Sequence, residues 1–312
     1  MALLFTSAKS AALASSLALF SLITSAETNP SQPPVLGKLV DVRGHRVHIY
    51  CTGTGNPTVI VAGGGFSFDW GLVQPEVAKF TRVCTYDPPG AAWSDKVEPE
   101  AHPNCTSRVE ELTELLRNAG IGGPYVLVGF SIGGLVVRLY ADRYASDVAG
   151  MVLVDHAFLD TGGSPPSTAP GSISKAGLDS PPVLISKTPI ALDIEDDQNF
   201  SRLPERDREL HRWALSIHSV RPTVEMAAEC FSEVGQPSAY PLANKPLAVV
   251  STLYDSPRYV EFQNKLLALS HNSEQLVAKN SSHMVIIDQP EIVVRAIWDV
   301  VAAARRGASL EK

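Results

Sequence analysis

The sequence predicts an α/β protein with a mostly parallel central sheet flanked by helices, and three observations carry that prediction. Apolar runs at Thr58 to Val61, Arg82 to Tyr86, Tyr125 to Val128, Met151 to Val154 and Leu247 to Ser251 alternate with amphipathic segments, the pattern of strands joined by helical crossovers. Gly37 to Cys51 alternates Leu39, Val42, Val47 and Ile49 around an Arg43-Gly44 turn, which predicts an antiparallel hairpin opening the sheet. The third is Gly129-Phe130-Ser131-Ile132-Gly133, set between the run Tyr125 to Val128 and the helical Leu135 to Tyr140. Its context is strand, sharp turn, helix.

Each element has a physical reason. Runs apolar at every position suit strands buried on both faces, as parallel sheets require. A chain of 312 residues with 45% hydrophobic and 19% charged residues is long enough for one large α/β domain. The net charge of −7 and a pI near 5.6 argue against nucleic acid and against an anionic membrane surface as partners.

A serine at a strand-to-helix turn has a strained backbone, and the flanking glycines let strand and helix approach so that its hydroxyl projects from the sheet edge. Ser131 therefore reads as a nucleophile. Its hydroxyl needs a histidine to take the proton and a carboxylate to orient that histidine. Of the eight histidines, His283 fits best, in the polar loop Lys279-Asn280-Ser281-Ser282 ahead of a terminal helix expected from Glu291 to Ala304. His45 and His48 fall in the opening hairpin, His102 in a Pro-rich loop, and His211, His218 and His271 read as helix-surface residues. His156, just after a strand, is the rival. Donors for a developing oxyanion are expected from the Ile132 N–H and from Ala62-Gly63-Gly64-Gly65-Phe66, with Gly64 preferred and Gly65 second. That glycine run matches neither nucleotide-binding pattern, G-x-x-x-x-G-K-[ST] or G-x-G-x-x-G with its acidic partner.

Taken together, the Gly63 to Gly65 loop, Tyr86-Asp87-Pro88-Pro89-Gly90-Ala91-Ala92-Trp93-Ser94-Asp95, the Gly129 to Gly134 elbow, Val152-Leu153-Val154-Asp155 and the His283 loop resemble the α/β-hydrolase family, in its serine-nucleophile, esterase- or lipase-like branch. The resemblance covers nearly the whole mature length. Two positions depart from it: Ala62-Gly63 stands where many relatives carry His-Gly, and Phe130 precedes the nucleophile where histidine is common. Both make the pocket floor less polar. The resemblance implies the order Ser, Asp or Glu, His, and offers two acids. Asp255, after the strand Leu247 to Ser251, is preferred; Asp155, ending Met151 to Val154, is the alternative. It also puts the strand of Cys84 beside that of Cys51, making these the better disulfide pair among four cysteines, with buried free thiols left open. No cofactor is implied, and the cysteine spacing fits no zinc site.

Residues 1–26 lie outside that fold. A weakly basic start at Lys9, the apolar Ala11 to Thr24 and the small residues Thr24-Ser25-Ala26 read as a cleaved secretory signal. The apolar stretch falls short of the ~20 residues that span a bilayer. A Pro- and Ser-rich tether follows over 27–36. The expected organisation is then a core at 37–155 and 246–306, interrupted by a lid at 156–245. Its first part is loop-like. Its later part predicts helices over Leu203 to Ser219 and Pro222 to Val234, with Leu210, Trp213, Ala214 and Ile217 on one stripe and Met226, Ala227, Cys230 and Phe231 on the other. Glu205, Asp207 and Glu209 read as a charged helix surface, though a peptidase could recruit them to hold an amine.

The expected activity is hydrolysis of a carboxylic ester of small or moderately hydrophobic character, by a secreted or periplasmic enzyme without stable membrane insertion. Ser131 argues against the epoxide hydrolases and haloalkane dehalogenases of this fold, which need an aspartate nucleophile. A peptidase or C–C bond hydrolase on the same triad, and a non-catalytic exported binding protein, are the alternatives.

Overall fold

The computed structural model describes residues 32–63, 65–97, 104–160, 172–174, 199–217, 224–235, 240–253 and 257–310. The expected signal segment therefore lies outside the described residues. By its contacts the chain divides between Pro33 and Pro34, and everything below belongs to the second unit, Pro34–Lys312.

That unit is built on an eight-stranded sheet in the order β1-β2-β4-β3-β5-β6-β9-β10. Its strands are β1 Lys38–Val42, β2 His45–Thr52, β3 Thr58–Ala62, β4 Val83–Asp87, β5 Tyr125–Phe130, β6 Val148–Val154, β9 Leu247–Thr252 and β10 Ser273–Ala278. Strands β7 Phe158–Asp160 and β8 Ser172–Ser174 form a separate two-stranded parallel pair. The opening hairpin is antiparallel, β2 pairs antiparallel with β4, and the remaining neighbours are parallel, as the sequence predicts.

The central strands are buried on both faces, and the period of two sorts their side chains between two cores. Ile60, Leu127, Leu153 and Val249 face one side with Val109, Leu112 and Leu115 of α2 Cys105–Asn118, Leu135 and Val136 of α3 Gly133–Arg143, and Phe262 and Leu266 of α6 Pro257–Leu267. Their neighbours Val59, Val128, Val152 and Val250 face the other with Val77 of the short α1 Gln74–Val77, Ile286 of α7 Val285–Asp288, and Val293, Ile297 and Val300 of α8 Pro290–Arg306. Leu127 is fully buried, and truncating such a side chain to alanine costs about 2–5 kcal/mol.

The insertion contributes α4 Glu205–Ile217 and α5 Val224–Val234, each within two residues of the predicted start. The buried face of α4, however, is Asp207, Leu210, His211 and Ala214, while Ile217 is exposed. It is rotated from the predicted stripe, and two polar residues read as surface are inside. The reason is that α4 packs on the loops following β3 and β4, where Asp69 partners His211, while Asp207 bonds Arg206 of its own helix. His271 is also not on a helix; it follows α6 and stacks on Tyr240 at 3.6 Å.

Both disulfides form. Cys51 and Cys84 are register partners on β2 and β4, the expected pair, and Cys105 at the start of α2 bonds Cys230 of α5, fixing one helix of the insertion to the core.

Candidate active site

Ser131 occupies the turn between β5 and α3 with φ +54°, a left-handed conformation that costs a non-glycine residue about 1–3 kcal/mol. Its N–H donates to Val154 O at 3.0 Å, and its carbonyl accepts from Gly134 N at 3.0 Å and Ala157 N at 3.1 Å. The strain is thus held by bonds to the strand next door and the helix that follows. The two glycines of the motif are sterically required: a Cβ on Gly129 would come within 2.6 Å of Gly134 Cα, and one on Gly133 would run into the carbonyl of Ala62.

His283 lies between β10 and α7 and is 2% exposed. Its ring stacks on Phe130, the residue before the serine, with centroids 4.8 Å apart and planes 27° apart. Phenylalanine there thus supplies a flat apolar support. The Nδ1–H donates to Oδ2 of Asp155 at 2.6 Å, while the buried Nε2 has no hydrogen-bond partner among the described residues. A neutral imidazole with Nδ1 committed in this way keeps Nε2 as its basic atom.

Asp155 ends β6 with φ +36°, its N–H donating to Val250 O at 2.7 Å. Its second oxygen accepts from the Tyr259 hydroxyl at 2.6 Å and the Thr252 hydroxyl at 3.3 Å. A carboxylate 4% exposed is costly to bury without such partners. Burial, and next the Asp155 charge, push the Tyr259 phenol well above its ordinary value, so it remains an O–H donor.

The structure therefore joins His283 to Asp155 and stacks it on Phe130, the residue before Ser131. Asp255, the preferred acid, and Gly64, the preferred oxyanion donor, lie outside the described residues; the carboxylate on His283 Nδ1 is the one ranked second. Ile132 is the N-cap of α3, at the helix end where backbone N–H groups lack intrahelical acceptors. The rival His156 is 2% exposed and donates Nδ1–H to Ala157 O at 2.7 Å. Burial, and then the Arg138 charge, push it down to about 3, and its ring packs where a Cβ on Gly134 would fall. It is a neutral residue beneath the elbow. Tyr259 and Thr252 escaped the sequence reading. The buried stripe Tyr259, Phe262, Gln263, Leu266 has helical spacing visible in the sequence, but spacing does not show which residue it touches.

The sequence pattern of the alpha/beta hydrolase family matches residues 58–296. The chain belongs to this family. An uncharacterized protein of Schizosaccharomyces pombe is 33% identical over 162 residues, which is 42% of this chain and 30% of that protein. The uncharacterized protein YqjL of Bacillus subtilis is 27% identical over 263 residues, covering 82% of this chain and 87% of that one. Among solved structures, the meta-cleavage product hydrolase of Pseudomonas fluorescens IP01 aligns with a TM-score of 0.58 at 19% identity over 86% of this chain and 98% of its own. A thermophilic esterase of Thermogutta terrifontis aligns at 0.55 and 21% identity over 85% and 97%. The members of this hydrolase fold thus span more than one bond type.

Proposed function

We propose that this chain is an exported serine hydrolase that cleaves carboxylic esters of small or moderately hydrophobic character through an acyl-enzyme on Ser131. The observation that carries the reading is the strained serine at the elbow, preceded by the Phe130 ring on which a histidine stacks whose Nδ1 is committed to a buried carboxylate. In the first half-reaction Ser131 Oγ bonds to the ester carbonyl carbon while His283 Nε2 takes the hydroxyl proton. Asp155 holds the ring and stabilises the imidazolium that forms. The carbonyl oxygen becomes an oxyanion facing the N–H of Ile132 and the main chain of the loop after β3. Collapse breaks the bond to the alcohol oxygen, which leaves with the proton from His283. Water then repeats the sequence on the acyl-enzyme and releases the acid and Ser131. Asp155 replaces Asp255 as the orienting acid because His283 Nδ1 has one place to donate and Asp155 occupies it.

The ester preference rests on the uncharged surroundings of the nucleophile, Phe130 below and Ile132 beside it. A panel of acyl esters of graded chain length, with an amide and a C–C bond substrate as further arms, tests it together with Ser131→Ala. Ester turnover is expected to exceed the other arms and to fall by ~10⁴-fold or more in the alanine variant. Dominant cleavage of the amide or the C–C bond would redirect the substrate class. Wild-type protein that neither hydrolyses any of them nor reacts with an organophosphonate at Ser131 is a binding protein.

A further inference from the structure

Two buried histidine–carboxylate pairs outside the catalytic triad grip the loop that follows β3. Asp87 accepts from the Ser67 N–H at 2.7 Å with Oδ1 and from His48 Nδ1 at 2.6 Å with Oδ2. Asp69 accepts from the Phe66 N–H at 2.7 Å with Oδ2 and from His211 Nδ1 at 2.8 Å with Oδ1. Each carboxylate thus holds one loop amide with one oxygen and one imidazole with the other, and both Asp69 and Asp87 are fully buried. The difference lies in where the histidine comes from. His48 belongs to β2 of the core sheet, whereas His211 belongs to α4 of the insertion.

The Asp69 pair shapes the oxyanion loop directly. Gly65, at φ +85°, leaves space that the Asp69 carboxylate fills, since a Cβ there would collide with Oδ2. Asp69 N–H donates back to Phe66 O at 3.0 Å, and Trp70 Nε1 donates to Gly63 O at 3.0 Å. Phe66 and Phe200 pack edge-on to the His211 ring at 5.5 and 5.4 Å, so the ring is fixed in place as well as bonded.

We infer that His211 of the cap helix is a positioning residue for catalysis: through Asp69 it sets the main chain at Gly65 and Phe66 in the loop that faces the oxyanion, so that the cap is a working part of the site. The inference rests on the serine-hydrolase reading above. Without the imidazole donor, one oxygen of a fully buried carboxylate loses its partner, and the cost is relieved by Asp69 turning away or taking a proton, either of which frees Phe66 N–H and loosens the loop. Donors aimed at an oxyanion act in the transition state, so the loss falls on acylation rate and kcat rather than on KM.

The test compares His211→Phe, which fills the ring's volume without a donor, His211→Ala, and His211→Asn, which presents an amide N–H near the position of Nδ1. Each is checked for folding by circular dichroism, and one folded donor-less variant suffices. The readouts are kcat and KM on an aryl ester and the rate of organophosphonate labelling at Ser131. The donor-less variants are expected to lose about tenfold or more in kcat and labelling rate with KM within threefold, and asparagine to recover most of that loss. Wild-type rates in a folded donor-less variant, a loss confined to KM, or an asparagine variant as impaired as phenylalanine would overturn the inference. Absence of labelling and hydrolysis in the wild type would instead overturn the serine-hydrolase reading, which separates the two failures.

Discussion

At the scale of single residues, the choice of acid turns on one hydrogen bond. Asp155 and Asp255 are both reasonable acids in sequence, because each follows a predicted strand, and those strands, β6 and β9, are neighbours. The 2.6 Å bond from His283 to Asp155, with Tyr259 and Thr252 on the other oxygen, favours the earlier strand. Asp155→Asn is expected to lower kcat by ~10²–10⁴-fold in a folded protein, and Asp255→Asn to leave it within a few-fold. Kinetics of the two near-isosteric variants on one ester decide it, and the reverse ranking would return the acid to Asp255. His156 carries a second expectation. Its folded value of about 3 lies below the ~6.5 of an unfolded histidine, so the unfolded chain binds the proton first. Its neutral form supports the fold fully above about 6.5, and stability falls as pH drops from there towards 3, by up to about 1.4 kcal/mol per pH unit. Thermal melts between pH 7 and 4 are expected to slope less in His156→Gln than in the wild type; parallel slopes would mean the ring is not held neutral by burial.

At the scale of elements, the insertion is fastened by unlike means at its two helices. α4 is held by packing and by the His211–Asp69 and Trp213–Trp93 contacts, the latter with rings 5.3 Å apart. α5 is held by the Cys105–Cys230 bond, reinforced by Thr106 N–H donating to Glu233 at 3.0 Å. The bond closes a sequence separation of 125, against 33 for Cys51–Cys84. In the chain-entropy account the longer loop is worth on the order of 4–5 kcal/mol and the shorter ~3–4. Paired Cys→Ala variants, unfolded in denaturant, are expected to rank in that order; equal or reversed losses would show that local packing, not loop closure, sets the difference. The central strands were legible because a two-sided sheet demands uninterrupted apolar runs, the half-exposed edge strand β10 was not because SEQLVA has no such run, and the ends of α4 and α5 were because amphipathic period and composition change there. The inward face of α4 was not, since Asp207 and His211 look like surface residues until Asp69 and the glycine at 71 are brought against them.

At the scale of the whole molecule, two disulfides fit the proposed export, since such bonds persist in oxidising compartments. Protein recovered from an oxidising compartment is expected to begin at Glu27, by intact mass, and to titrate no free thiol under denaturing, non-reducing conditions. A retained N-terminus or reactive thiols would remove that proposal. Cytoplasmic protein from a reducing host is expected to melt lower by the combined loss of both cross-links.

The sequence by itself determined the family and the mostly parallel character of the sheet, and singled out Ser131 and His283 as the proposed nucleophile and base. Each of these is written in local pattern: apolar runs, a glycine-flanked serine, turn residues at fixed offsets. Only the tertiary structure decided which carboxylate meets His283, that His156 is buried neutral, and that His211 and Asp69 join the cap to the oxyanion loop. The two histidine partnerships join residues 128 and 142 apart in sequence, and all three outcomes depend on desolvation, which makes a buried charge seek a partner and is a property of the packed interior rather than of any stretch of chain.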